Sequence, residues 1–334
     1  MSESGFGICI TGATTLLGKE LLGSLGAAAI DLRKLHAVDA LNVETTQVEF
    51  RGKTQTVGLL NAEVLEEVDL VFVAGEPDDA GRALLDDAAD AGCLVLDLVG
   101  YRRDPSLPML FGRNPGALEA LRETGIALCP DAMTLALVAL GAALRPVGLQ
   151  QLRGTCMMSA SVAGEAGVRE LSGQVGALFN SQTPPRKVFE HGLAFDLLPG
   201  RGEALESGWM PQELLAAAQA AHVLGLPAGG VAIDEVIVPV FVGMGLSLQA
   251  YGPGLNVEVV RQAVDQTDLI ERHREIHAGA MPRGMSGEST LALSRLRPDP
   301  AGSGVHCFLS ADPMRLAASN AVQALLGLVE LDLL

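Results

Sequence analysis

The most constraining feature of this chain lies near its start. Phe6 to Ile10 is a short apolar run, closed by Thr11-Gly12-Ala13-Thr14-Thr15-Leu16-Leu17-Gly18, after which Lys19 to Leu25 carries apolar residues at helical spacing. A buried strand, a glycine-bearing turn and a helix open a βαβ unit. A second apolar stretch, Leu35 to Val38, ends at Asp39, about 20 residues past the turn, where a dinucleotide fold sets an acid against the ribose. Alternation continues with Val68 to Ala74 as a strand, Asp79 to Ala91 as a helix, and Leu94 to Leu98 and Ile126 to Cys129 as strands. This predicts an α/β chain opening on a Rossmann-like, parallel, doubly wound sheet. The turn would bring backbone N–H groups and a helix N-terminus to a pyrophosphate. The candidate cofactor contacts are Gly12, Thr14, Thr15, Leu16, Leu17, Gly18 and Asp39. Glycines also punctuate turns that bind nothing, so the fold does not by itself establish occupancy.

The pattern changes after Pro130. Met133 to Leu144 reads as a helix, Gly154 to Val162 as a strand, and Gly164 to Phe179 as a helix with Val168, Leu171, Val175 and Leu178 on one face. Asn180 to Glu190, with Pro184-Pro185, is a loop, and Pro211 to Leu224 is a helix that Pro227 cannot continue. Val231 to Tyr251 is too long for one strand and is expected to bend at Gly243 and Gly245. Asp312 to Val329 is a helix, with Asp312 as N-cap and Pro313 just inside it.

Composition removes several classes of function. Forty acidic against 23 basic residues give a net charge of −17 with no block of like charges, a solvated acidic surface unsuited to nucleic acid. Hydrophobic residues make up 49% and charged ones 19%, which excludes disorder. The longest apolar stretch, Ala132 to Leu144, is shorter than the roughly 20 residues a bilayer requires. Met-Ser-Glu-Ser-Gly at the start lacks a secretion signal. A cytoplasmic protein with no membrane partner is expected. Five cysteines without a C-x-x-C pair argue against a disulfide framework or structural zinc. His273 and His277, beside Glu271 and Glu275, would share a helical face, but no third ligand is evident, so a solvated surface and no metal are expected. His191, His222 and His306 are isolated and read as structural.

Several motifs, in order, resemble the aspartate-semialdehyde dehydrogenase family. Gly12 to Gly18 stands for its G-A-T-G-x-V-G, and Asp97 to Pro105 for its D-N-S-S-A-F-R-x-D-P. Asn114-Pro115, Ser161-Val162-Ala163-Gly164, Val238-Pro239-Val240-Phe241-Val242-Gly243 and Ala317 to Gln323 follow. The resemblance implies a nucleotide-binding domain, residues 1–131 plus 312–334, and an inserted α+β dimerisation domain of catalytic type, residues 132–311. It implies amino-acid biosynthesis by an oxidoreductase: a cysteine attacks the aldehyde, a histidine moves the proton, NADP takes the hydride and phosphate cleaves the thioester.

Each of those roles can be sought in this chain. The nucleophile's place, in Cys129-Pro130-Asp131-Ala132-Met133-Thr134, is held by Ala132. The histidine's place is Met244, the substrate-gripping arginine seven residues earlier is Ile237, and the assisting glutamine is Ala160. The family's E-x-x-K appears as Gln219 and His222, leaving Arg102 as an anion contact. A methyl group forms no thioester and a thioether shuttles no proton. On the cofactor side, the second glycine of the turn is Thr15, and the Ser and Arg that would hold a 2′-phosphate fall at Val38 and Ala40. NAD is therefore expected over NADP, with an empty cleft equally open. Cys129 could stand in as nucleophile, but a three-residue displacement is large where ~1 Å can cost about 100-fold, and a buried thiol is expected. Two functions follow. One is a catalytically degenerate, homodimeric binding or regulatory protein; the other is an NAD(P)-dependent semialdehyde dehydrogenase using non-standard residues. Nothing in the sequence names a small-molecule ligand.

Overall fold

A computed structural model describes residues 5–39, 46–102, 104, 106–273 and 281–334. The chain forms two compact units, Met1–Asp131 with Ala317–Leu334, and Ala132–Leu316.

The first unit runs β1 (Phe6–Thr11), α1 (Leu16–Ala27), β2 (Leu32–Asp39), a hairpin of β3 (Gln47–Phe50) and β4 (Lys53–Thr56), β5 (Gly58–Leu59), α2 (Ala62–Glu66), β6 (Leu70–Val73), α3 (Asp79–Asp90), β7 (Leu94–Asp97), α4 (Pro115–Thr124) and β8 (Ile126–Leu128). Six strands form one sheet in the order β5-β2-β1-β6-β7-β8, and every pairing is parallel. Strands β6 and β7 are buried along their whole length, as strands covered on both faces must be. On one face Ile8, Ile10, Phe72 and Leu96 pack with Leu21, Leu22 and Leu25 of α1. On the other, Cys9, Val71, Val73 and Val95 pack with Leu65 of α2 and Leu85 of α3. Each such large side chain contributes roughly 1.5–3 kcal/mol by leaving water.

The second unit runs α5 (Ala132–Leu144), β9 (Gln151–Met158), α6 (Gly164–Phe179), α7 (Pro211–Val223), β10 (Val231–Ile237), β11 (Met244–Tyr251), α8 (Val257–Val264), β12 (Ile270–Arg272), β13 (Leu291–Pro298) and β14 (Gly304–Ala311). Its sheet is ordered β10-β9-β11-β14-β13-β12, antiparallel at the centre and parallel at both outer pairings. Leu152, Cys156, Ile233, Leu246, Leu248, Cys307 and Leu309 are buried, whereas the alternating Arg153, Thr155, Met157, Ser247, Gln249, His306 and Phe308 are not. One sheet face is thus covered within the chain and the other is left half-open. Helix α9 (Pro313–Glu330) then returns the chain to the first unit. Asp312 caps it, its Oδ1 accepting from the N–H groups of Met314 and Arg315, both at 3.1 Å.

Several details differ from the sequence expectations. The strand expected over Gly154 to Val162 begins at Gln151 and stops at Met158, because the Ser159 and Ala160 N–H groups turn to the carbonyls of Gly243 and Val240. Val231 to Tyr251 does divide into two strands, and the break spans residues 238–243, ending at Gly243, whose φ of +126° suits glycine. Gly245 stays inside β11, where a Cβ would come 2.7 Å from the Phe308 ring. The second unit seam falls after Leu316, one turn inside α9, rather than at Asp312. Glu271 lies on a strand, not a helix, while Glu275 and His277 fall outside the described residues. The five cysteines are all free and buried. No helix among the described residues is long and apolar enough to cross a membrane.

Candidate functional site

At the C-terminal edge of the parallel sheet the expected turn is present, and sterics explain two of its residues. Gly12 has φ +73°, and a Cβ there would lie 2.3 Å from the Gly75 nitrogen. A Cβ on Gly18 would lie 2.1 Å from the Gly12 carbonyl oxygen. Thr15, in contrast, has an ordinary φ of −66° and serves as the N-cap of α1. Its Oγ1 accepts from the Gly18 N–H at 2.9 Å and faces the carbonyls of Gly12 at 2.8 Å and Ala74 at 3.0 Å. Leu16 and Leu17 form the first turn of α1. Thr14 Oγ1 donates to Asp39 Oδ2 at 2.5 Å, and Asp39 is 7% exposed. The structure therefore ties Gly12, Thr15 and Gly18 together by hydrogen bonds and pairs Thr14 with Asp39 in the same turn region. Val38 is buried beside it, and Ala40 lies outside the described residues. A cavity of about 910 Å³ opens elsewhere, near Val68, Asp69, Cys93, Leu94 and Gly125. Those residues precede or begin strands, and ligands of parallel α/β sheets bind at the opposite, carboxyl ends.

Two strands from the turn, beyond β6, β7 ends in the fully buried Asp97, which organises the loop after it. Its carboxylate accepts from the N–H groups of Val99 (3.0 Å), Gly100 (2.8 Å) and Arg102 (3.0 Å). Burial nonetheless leaves its pKa above the ordinary value, only partly opposed by those bonds. The Arg102 side chain is ion-paired with Asp86, Nε to Oδ1 at 3.2 Å. Cys129 is buried next to Asp97; desolvation first, and the neighbouring carboxylate second, push its thiol far above the ordinary range. A nucleophilic cysteine requires the reverse environment.

The remaining candidate positions lie in the second unit. Met158, the last residue of β9, pairs with Ile237 on β10 and with Met244 on β11. The Ala160 N–H turns to the Val240 carbonyl at 2.9 Å, so Ala160, Ile237 and Met244 meet around the end of β9. All three are 0% exposed. Ala132 opens α5 at 5% exposure, and Thr134 Oγ1 reaches Gln219 Oε1 on α7 at 3.5 Å. His222 is exposed on α7. The hydroxyls flanking Ala160, on Ser159 and Ser161, are fully buried and bond each other at 2.9 Å. Ala132, Ala160, Ile237, Met244 and the two buried serines include no accessible nucleophile, and the exposed His222 is the one imidazole among the positions named.

Three buried glutamates escaped the sequence reading. Glu235 binds Arg201 Nε at 2.9 Å and Gln212 Nε2 at 3.2 Å. Glu213, third residue of α7, accepts from the N–H groups of Met210 (2.9 Å) and Glu235 (2.7 Å). Proline followed two residues later by glutamate is the available signal, since a glutamate at that position reaches back to the cap. Glu170 on α6 accepts from the N–H groups of Lys187, Val188 and Phe189 at 2.7–2.8 Å. These acids hold loops in place.

The profile of the family described as semialdehyde dehydrogenase, dimerisation domain, matches residues 140–316. Over 326 residues the chain is 29% identical to aspartate-semialdehyde dehydrogenase 2 of Vibrio cholerae, covering 95% of this chain and 96% of that one. A crystal structure of aspartate semialdehyde dehydrogenase II from Vibrio cholerae, complexed with ASA, matches with a TM-score of 0.89 and 25% identity, covering 98% of this chain and 99% of that one. The enzyme of Candida albicans, solved with NADP, shares the fold with a TM-score of 0.72 at 16% identity, over 99% of this chain and 100% of that one.

Proposed function

Since the chain belongs to the aspartate-semialdehyde dehydrogenase family, its site is judged against that chemistry, and we propose that it is a catalytically degenerate member, retained as a homodimeric binding or regulatory protein. One observation carries this reading: Ala132, Ala160, Ile237 and Met244 are apolar, and none is more than 5% exposed. These side chains supply no nucleophile, no carboxylate-gripping cation and no proton relay. The hydride-transfer enzyme built on other residues would need Cys129, whose burial holds it in the inert thiol form. Arg102 would have to leave Asp86 to meet an anion.

The fold is that of a nicotinamide-dinucleotide-binding domain, and such a cofactor would supply hydride chemistry. The chain's own residues favour NAD over NADP. Asp39 places a carboxylate where a 2′-phosphate would stand, and Val38 offers no hydroxyl. Homodimerisation is supported by the half-open sheet face of the second unit, where Val236, Met157 and Phe308 alternate with buried residues.

The test is reduction of NAD and, separately, of NADP with aspartate semialdehyde and phosphate, for the wild type and for Ala132→Cys with Met244→His. Loss of the nucleophile alone typically costs on the order of 10⁶ in rate. Both proteins are expected to be silent, because Ile237 still replaces the substrate anchor. Wild-type turnover of about 1–10³ s⁻¹ would overturn the proposal.

A further inference from the structure

We propose that Thr14 and Thr15 are internal substitutes for a dinucleotide. The Thr15 hydroxyl takes the helix N–H that a phosphate would take, and Thr14 takes the carboxylate that a ribose hydroxyl would take. This deepens the cofactor part of the proposed function and does not depend on catalytic degeneracy.

Dinucleotide recognition at a strand–turn–helix junction rests on open N–H groups at the helix start and an acid at the end of the second strand. One N–H of the helix start and one oxygen of the acid are engaged here. The Gly18 N–H, in the first turn of α1, is held by Thr15 Oγ1 at 2.9 Å. That hydroxyl is fixed further by the Gly12 and Ala74 carbonyls. Asp39 Oδ2 is held by Thr14 Oγ1 at 2.5 Å. Bound phosphate would reach the Gly18 N–H only after the Thr15 bond had broken, and a ribose hydroxyl would compete with Thr14 for the Asp39 carboxylate.

The backbone does not dictate this arrangement. Gly12 and Gly18 are required by close approach of main-chain atoms, but φ −66° at position 15 accepts glycine or threonine alike. The residue at 15 therefore sets what the helix start offers a ligand without reshaping the turn. Threonine also adds bulk at the point where a pyrophosphate approaches main chain, with its Cγ2 3.4 Å from where a Cβ on Gly75 would lie. One buried hydroxyl nearby, Thr11 Oγ1, has no hydrogen-bond partner among the described residues. Strand alternation puts it with Cys9 and Val73, on the sheet face opposite α1, so it is not aimed at this turn.

The test is calorimetric titration of the full-length protein with NAD. Thr15→Gly and Thr15→Ala both free the Gly18 N–H. Each is expected to bind about tenfold more tightly than wild type, the scale of one charge-assisted hydrogen bond. Tightening in the glycine variant alone would assign the block to bulk and overturn the substitution by a hydroxyl. Adding Thr14→Ala to Thr15→Gly should tighten NAD binding again, and weaker binding by that pair would overturn the role given to Thr14. Thermal unfolding of each variant checks that the turn survives. Micromolar binding of NAD by the wild type, which needs no variant, would overturn the proposal outright. No readout involves turnover, so an NAD-binding but inactive wild type would remove this inference and leave catalytic degeneracy standing.

Discussion

Threonine at 15 and glycine at 18 stand three residues apart and answer to different constraints. A methyl group on Gly18 collides with the Gly12 carbonyl, so Gly18→Ala should destabilise the first unit by about 2–4 kcal/mol, read by urea unfolding. Thr15→Gly removes only a cap and should cost at most about 1 kcal/mol. Comparable costs for the two would contradict the assigned packing. Cys129 gives a second expectation: native protein at neutral pH should resist alkylation there by iodoacetamide, while urea-unfolded protein reacts. Prompt native labelling of Cys129 would revive the alternative nucleophile. Spacing alone located the turn and Asp39. That Thr14 occupies Asp39 was not legible, because the bond joins side chains 25 residues apart through orientations that no periodicity reports. The positions Ala132, Ala160, Ile237 and Met244 came into view only through resemblance, since an alanine or a methionine carries no chemical signature of a catalytic place in the chain.

Among the elements, α6 shows how a legible helix can hide its purpose. Its apolar face was readable, yet Glu170 and Gln174 look like solvated helix residues and instead hold the loop that follows. Gln174 Oε1 accepts from the N–H groups of Leu193 (2.7 Å) and Ala194 (2.9 Å). Burial alone would raise the Glu170 carboxyl, but the N–H groups of Phe189, Val188 and Lys187 outweigh it and hold the pKa below the ordinary value. A depressed carboxylate pKa stabilises the fold above the unfolded pKa, and that share is lost as pH falls through the folded value. Glu170→Gln should therefore cost about 1–3 kcal/mol at neutral pH. The gap to wild type should narrow as the pH is lowered below the carboxylate range, as followed by calorimetric melting. A gap that widens in acid would show the sign to be wrong. The buried strands of the parallel sheet announced themselves as apolar runs. Strands β3 to β5 and β12 to β14 did not, since they are short, irregular or half-exposed and owe their register to distant partners.

For the molecule as a whole, the expected assembly is a homodimer through the half-open sheet face. In the structure Ile237, Met244 and Leu246 are internal core, leaving Val236, Val240 and Phe241 less buried. Sedimentation equilibrium at micromolar concentration should show a dimer. Met157→Glu with Phe308→Glu should raise its dissociation constant by about 100-fold or more. A wild-type monomer, or a dimer indifferent to both changes, would place the contact elsewhere.

The passage of α9 back to the first unit has a consequence for biogenesis. Ala318, Ala321, Val322, Leu325 and Leu328 belong to the same core as Ile8 and Phe72, and Asn320 bonds the Gly112 N–H at 2.8 Å and the Leu110 carbonyl at 3.0 Å. On a ribosome, domains usually fold in the order in which they emerge. Here residues 132–316 emerge as one uninterrupted stretch, whereas the core begun by β1 lacks a wall until α9 has been translated. Nascent chains arrested before α9 should expose apolar sheet from the first unit and be strong clients for chaperones. The half of the molecule made first is the half completed last.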